Sequence, residues 1–187
     1  MNRNIELGPI PNSSEAFIIY EQFLKSQQSI LFIAREDREI YNTKSKLEWL
    51  LPDVEILIYR SWDQIPYDNV SPSKEIQSER IKTLYEVSKN NIKRIIITSV
   101  NSIVQKTISF NFLQKNLIEI YENKKINFDE LIIQLLSLGY QRTSIVRDKT
   151  EFSIRGSIID IFIVDYSNPI RIDFFDNNIE SIYSFDQ

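Results

Sequence analysis

Ser29-Ile30-Leu31-Phe32-Ile33-Ala34 is a continuous apolar run, the pattern of a strand buried on both faces of a parallel sheet. Two further runs follow it, Val54-Glu55-Ile56-Leu57-Ile58-Tyr59 and Arg94-Ile95-Ile96-Ile97-Thr98-Ser99. Helical patterns lie before and between them. The first is capped by Ser13 or Ser14 and carries Phe17, Tyr20 and Leu24 on one side. The second runs from about Arg38 to Leu50 and stops before Pro52. The third starts near Ser73 after a loop through Trp62, Pro66 and Pro72, with Ile76, Ile81, Leu84 and Val87 expected to face inward. Strands alternating with helices predict an α/β fold: a parallel-sheet domain with flanking helices.

The character changes near Leu117, which puts the expected domain boundary near residue 116 and gives domains 1–116 and 117–187. Asn127 followed by Glu130 is a helix-start signal, and Leu131, Ile132, Leu135, Leu136 and Leu138 then form a helix stopped by Gly139. Beyond it come short strands around 142–146, 151–155, 157–164, 170–175 and 179–185, separated by turn residues. These predict a small antiparallel α+β domain, plausible as a fold when anchored to a neighbour.

The chain has 187 residues, 42% hydrophobic and 26% charged, enough for a sizeable core. No apolar run approaches the roughly 20 residues needed to cross a bilayer. No apolar segment follows Met1-Asn2-Arg3-Asn4, so no secretory signal is expected. The chain has no cysteine, which fits a reducing cytoplasm. It also has no histidine, which excludes Ser–His–Asp and Cys–His nucleophilic systems and His- or Cys-based zinc sites. Net charge is −4, against free-standing nucleic-acid binding. The charge is unevenly spread: residues 151–187 hold seven acids and two bases, leaving 19 acids and 20 bases in the first 150. The two bases are Arg155 and Arg171, and isolated arginines on an acidic sheet are ion-pair partners or recognition residues.

With only three glycines, a phosphate cradle can be sought exhaustively. Gly8-Pro9-Ile10-Pro11-Asn12-Ser13-Ser14-Glu15 precedes the first helix, where such a loop would sit. A working G-x-x-x-x-G-K-[ST] loop needs a second glycine, a lysine and a hydroxyl; here those places hold Ser13, Ser14 and Glu15. Two prolines remove amide donors, and Glu15 would repel phosphate. The pattern reads as a loop and helix start, a defunct cradle at most, so no cofactor is expected. Asp63, Asp68, Glu75 and Glu79 could bind Mg²⁺, but no phosphate-binding partner lies near them. A solvated loop and a helix N-terminus that favours acids account for them, and no metal or catalytic residue is expected.

Ile170-Arg171-Ile172-Asp173-Phe174-Phe175-Asp176 alternates, so Ile170, Ile172 and Phe174 share one face and Arg171, Asp173 and Phe175 the other. By the same rule Ser153 and Arg155 lie opposite Phe152 and Ile154. Arg155, Arg171 and Phe175 could therefore converge on one polar face, of the composition that anchors protein–protein interfaces. The structural alternative pairs Arg171 with Asp160 or Asp173, tucks Phe175 under a loop and leaves Gly156 as a turn residue. On pattern alone the two readings stand level.

Glu151-Phe152-Ser153-Ile154-Arg155-Gly156-Ser157-Ile158-Ile159-Asp160-Ile161-Phe162 resembles the E-F-x-x-R-G-x-(I/L)-(I/L)-D-(V/I/L)-F segment of the bacterial transcription-repair coupling factor (Mfd) family. Pro169-Ile170-Arg171-Ile172-Asp173-Phe174-Phe175-Asp176, with Ile179-Glu180-Ser181-Ile182, is similar to its P-x-R-(I/L)-(E/D)-F-F continuation. Pro66-Tyr67-Asp68, Ser71-Pro72, Glu79-Arg80 and Gly139-Tyr140-Gln141-Arg142 match further family motifs, so the resemblance covers nearly the whole chain. The excision-repair protein UvrB shares the second module but keeps an intact P-loop, so the defective loop at Gly8 points to the coupling-factor family's N-terminal, UvrB-like region. The resemblance implies recruitment of UvrA by mimicry of UvrB, through Arg155, Arg171 and Phe175, on a face that full-length members mask with their C-terminal domain. It also implies that RNA polymerase and DNA are engaged only through regions absent from these 187 residues, and that this chain is not itself an enzyme. Two other readings remain open: an atypical nucleotide-binding α/β domain using the Gly8 loop, and a DNA-contacting fragment.

Overall fold

A computed structural model describes residues 6–11, 14–64, 71–89 and 92–186. The chain divides into two compact units, Met1–Thr107 and Ile108–Gln187. The boundary expected near 116 differs from this division by one short helix, α5, which here goes with the second unit.

The first unit contains α1 (Glu15–Lys25), β1 (Ile30–Ala34), α2 (Asp37–Leu50), β2 (Ile56–Tyr59), α3 (Lys74–Ser88), β3 (Ile95–Ser99) and the single turn α4 (Val100–Ile103). Its three strands are all parallel in the order β1-β3-β2. The β1–α2–β2 and β2–α3–β3 crossovers run in opposite directions across the sheet, and right-handed connections therefore place α2 and α3 on opposite faces. On one face Ala16, Ile19 and Phe23 of α1 and Ile40 and Leu47 of α2 pack with Ala34, Ile95 and Ile97.

Four expectations for this unit need correction. β1 is an edge strand, and its second face is open: Leu31 and Ile33 are about half exposed, so an all-apolar run did not mean burial on both sides. In α1 the buried stripe is Ala16, Ile19 and Phe23, while Phe17 and Leu24 face solvent. Ser14 stands at the N-cap of α1 but its side chain makes no capping bond, and Ser13 lies outside the described residues. In α3 the buried stripe is Ile76, Arg80 and Thr83, leaving Ile81 and Val87 exposed. Tertiary hydrogen bonding selected that stripe. Thr83 Oγ1 donates to the Ile58 carbonyl at 2.6 Å, and Arg80 caps the end of β2.

The second unit holds α5 (Phe110–Asn116), α6 (Phe128–Ser137) and a sheet of β4 (Gln141–Arg142), β5 (Glu151–Arg155), β6 (Ile158–Ile161), β7 (Ile170–Phe175) and β8 (Asn178–Ser184), in sequence order. The helix signals hold: the Asn127 side chain accepts from the Glu130 amide at 3.1 Å. Gly139, at φ +87°, closes α6, with Gly139 N–H donating to Leu136 O and Tyr140 N–H to Leu135 O. The sheet is mixed rather than purely antiparallel, because the two-residue β4 pairs parallel with β5 while β5 to β8 form an antiparallel meander. The β4 strand reaches β5 through an irregular connection over 143–150, too long for a hairpin.

α6 covers one face of this sheet. Leu131 and Leu135 pack on Phe152, Ile159, Ile161, Ile172, Phe174 and Ile179, and the Phe128 ring meets Phe174 edge-on at 5.1 Å. Among the described residues no helix is long and apolar enough to cross a membrane.

Candidate functional site: the outer face of the mixed sheet

Two tight hairpins build the face opposite α6. Arg155 pairs with Ile158 across a two-residue loop whose first residue, Gly156, has φ +60°. Phe175 pairs with Asn178 across a second such loop, led by Asp176 at φ +55°. Glycine reaches this left-handed region freely and aspartate tolerates it, so both turns are written locally in the chain. β5 and β7 run the same way, so both loops lie at the same end of the sheet, and Arg155 and Phe175 are each the last strand residue before one of them.

Registers fix what lies beside them. Ser153 faces Asp160, Asp160 faces Arg171 and Arg171 faces Tyr183, one row across four strands. Arg155 faces Ile158, and Ile158 faces Asp173, the next row. β5 and β7 are two strands apart, on the order of 10 Å. A register shift between Asp173 and Phe174 does not disturb the alternation of burial along β7: Ile170, Ile172 and Phe174 are in, Phe175 is out. The three residues expected to converge therefore share one face of the sheet, with Phe175 70% exposed and Arg155 exposed.

The two arginines differ. Arg171 is half-buried and held as a fork: Nε donates to Asp160 Oδ1 at 2.6 Å and Nη2 to Asp160 Oδ2 at 2.8 Å. Its guanidinium also lies 4.8 Å from the centre of the Phe185 ring. The hydrogen bonds that Arg171 donates to Asp160 raise the Arg171 pKa further above its ordinary value, against desolvation, with Tyr183 contributing. Asp160 itself is 3% exposed. Of the two carboxylates the sequence offered for Arg171, the fold uses Asp160; Asp173 instead accepts from Ser181 at 3.0 Å, with its other oxygen buried and unpartnered. Arg155 makes no ion pair with any described residue and is exposed to solvent.

The sequence alone gives neither Phe185 nor Tyr183 a role at this face. Only cross-strand pairing brings Tyr183 to Arg171, and only the return of the chain past β8 brings the Phe185 ring there. The one available hint was the affinity of guanidinium groups for aromatic faces.

The other candidate sites look different. Gly8 is exposed and has open space where a side chain would stand, and Glu15 is tied to Lys46 of α2 at 3.3 Å. At the carboxyl ends of the parallel strands, where α/β sheets bind ligands, Asp37 and Arg80 are bonded within the fold. Asp37 accepts from Ser61 at 2.8 Å and from Ser99. Burial pushes the Asp37 carboxyl up, but these hydroxyls outweigh it and hold its pKa below the ordinary carboxylate value. Arg80, 2% exposed, lies between the rings of Tyr59 and Trp62, 4.1 Å from each centre. It donates to Arg60 O at 2.5 Å, Tyr59 Oη at 2.6 Å and Ser102 Oγ at 3.2 Å. Asp63 accepts from the Ser73 amide and Glu79 pairs with Arg60, while Tyr67 and Asp68 lie outside the described residues. Among the described residues no group of three or more acidic side chains could hold a metal ion.

Residues 118–187, which carry this face, match the model of the UvrB interaction domain family. The chain as a whole is similar to transcription-repair-coupling factors. It is 28% identical over 180 residues to that of Haemophilus influenzae, covering 96% of this chain and 16% of that protein. Against that of Rickettsia prowazekii it is 32% identical over 178 residues, 94% of this chain and 16% of the relative. With the factor of Escherichia coli the identity is 27% over 180 residues. The resemblance read from the motifs thus stands over nearly the whole chain, which spans about one-sixth of the length of these curated relatives.

Proposed function

We propose that this chain is a docking module of transcription-repair coupling that recruits UvrA to lesions by presenting the surface UvrB presents, with no catalysis of its own. The observation that carries the reading is the face opposite α6: an exposed aromatic, Phe175, and an unpaired arginine, Arg155, stand beside a second arginine, Arg171, on a rigid sheet. An exposed phenylalanine beside guanidinium groups is the composition of an interface centre. RNA polymerase and DNA are engaged only through other regions of a longer protein, and the site of action is the cytoplasm. The Gly8 loop is a defunct nucleotide cradle. Pro9 and Pro11 supply no amide donors there, and Glu15 places a carboxylate where phosphate would lie.

The test is a calorimetric titration of UvrA with the 187-residue chain and with Arg171→Ala and Phe175→Ala. Phe175→Ala is expected to weaken binding by about 2 kcal/mol, roughly thirty-fold in Kd, while leaving the melting temperature unchanged. Unaltered affinity in both folded variants would remove the site assignment.

A further inference from the structure

We propose that Asp160 is a positioning residue for recognition: its buried carboxylate locks the Arg171 fork, so that Arg171 offers its Nη1 edge to a neutral acceptor such as a backbone carbonyl. This inference rests on the partner reading above and deepens it. Three observations carry it. Both Asp160 oxygens are used on one guanidinium, at 2.6 and 2.8 Å, along the Nε–Nη2 edge. Asp160 is 3% exposed and so does not itself meet a partner, whereas 26% of the Arg171 side chain remains accessible. The Phe185 ring lies against the guanidinium, restricting the one motion the carboxylate would still permit.

The physical consequence is a division of labour between the two arginines. A guanidinium compensated by a bidentate carboxylate adds little net charge to its surroundings, but its remaining N–H groups point in fixed directions. It binds by direction. Arg155 has no such partner and acts by charge. A carboxylate on the partner would meet Asp160 behind Arg171 and gain little there; a carbonyl oxygen would gain a pre-aimed donor. The rotamer freedom of Arg171 has already been lost in folding, so binding does not have to remove it again.

The experiment has two arms on the 187-residue chain. In the first, nitrogen-edited NMR follows the Arg171 Nε–H without any partner. Wild type is expected to show a resolved, slowly exchanging signal, and Asp160→Asn a signal averaged with solvent. In the second, UvrA is titrated with Asp160→Asn, Arg171→Ala and the double variant. Asp160→Asn is expected to weaken binding about 3- to 10-fold, the cost of re-ordering one free side chain. It should add nothing in the Arg171→Ala background. An equal loss in that background, an unmoved Nε–H signal, or full affinity in Asp160→Asn while Arg171→Ala binds weakly would each overturn the positioning role. If neither Arg171→Ala nor Phe175→Ala changes affinity, the partner reading itself falls, whatever the NMR arm shows, and Asp160 is reduced to a structural ion pair. Should Asp160→Asn fail to fold, Arg171→Lys decides, since lysine keeps the charge but cannot span both oxygens. Affinity near that of Arg171→Ala supports the proposal, and affinity near wild type overturns it.

Discussion

The carboxyl end of the parallel sheet and the outer face of the mixed sheet each hold an arginine among aromatics, and the two are used in opposite ways. Arg80 is buried, lies between two rings and donates to a carbonyl and hydroxyls of its own unit. Desolvation lowers its pKa, with Tyr59 acting weakly the other way. Asp37 nearby is likewise satisfied by Ser61 and Ser99. Among the described residues, Arg80 and Asp37 there spend their polar groups on bonds within the fold. On the mixed sheet Arg171 is also fixed, but by a carboxylate behind it, and Arg155 and Phe175 remain without internal partners. The difference between a structural arginine and one proposed for recognition lies in what remains after the fold has taken its share of donors.

That contrast can be broken at either end. Replacing Arg80 with Ala should cost about 3 kcal/mol or more, because the Arg60 carbonyl and the Tyr59 and Ser102 hydroxyls lose a buried donor and two rings lose their filling. Both tryptophans, Trp49 and Trp62, lie in the first unit, so their fluorescence during urea unfolding reads that unit alone. An unchanged midpoint would mean that Arg80 is not the brace described.

Arg155→Gln should weaken UvrA binding by about 1 kcal/mol and flatten the dependence of association rate on salt, whereas Arg171→Ala should leave that dependence largely intact. Stopped-flow association at several ionic strengths separates the two, and equal slopes for the two variants would erase the division of labour. A smaller effect is expected at Asp37. Its folded pKa is depressed, so its contribution is present above the unfolded value of about 4 and is lost as pH falls through the folded one. Tryptophan-detected stability should therefore drop on acidification below about pH 4, and Asp37→Asn should reduce that drop. The smallest expected effect is none: ATP or ADP should leave the melting temperature unchanged, since a ligand stabilises only the state it binds. A rise would reopen the Gly8 loop as a nucleotide site.

Legibility followed the range of the interactions. Three apolar runs and the helical patterns between them announced a parallel sheet, and all three strands and helices are present. Asn127, Glu130 and Gly139 marked both ends of α6 because capping is a contact between residues three or four apart. Which stripe of a helix is buried was less readable. In α3 Ile81 looked core-facing, yet Arg80 and Thr83 go inside, because the acceptors they reach belong to β2 and to the turn after β3.

Strand alternation, which is local, allowed Arg155, Arg171 and Phe175 to converge on one polar face, level with a reading that tucked Phe175 under a loop; the strand registers put all three on that face. The sequence by itself thus determined which face of its own strand each side chain takes. Tertiary structure alone decided that Asp160 rather than Asp173 holds Arg171, that the Phe185 ring backs it, and that the second face of β1 is left open. Periodicity tells which way a residue points; only the pairing of distant segments settles what it meets there.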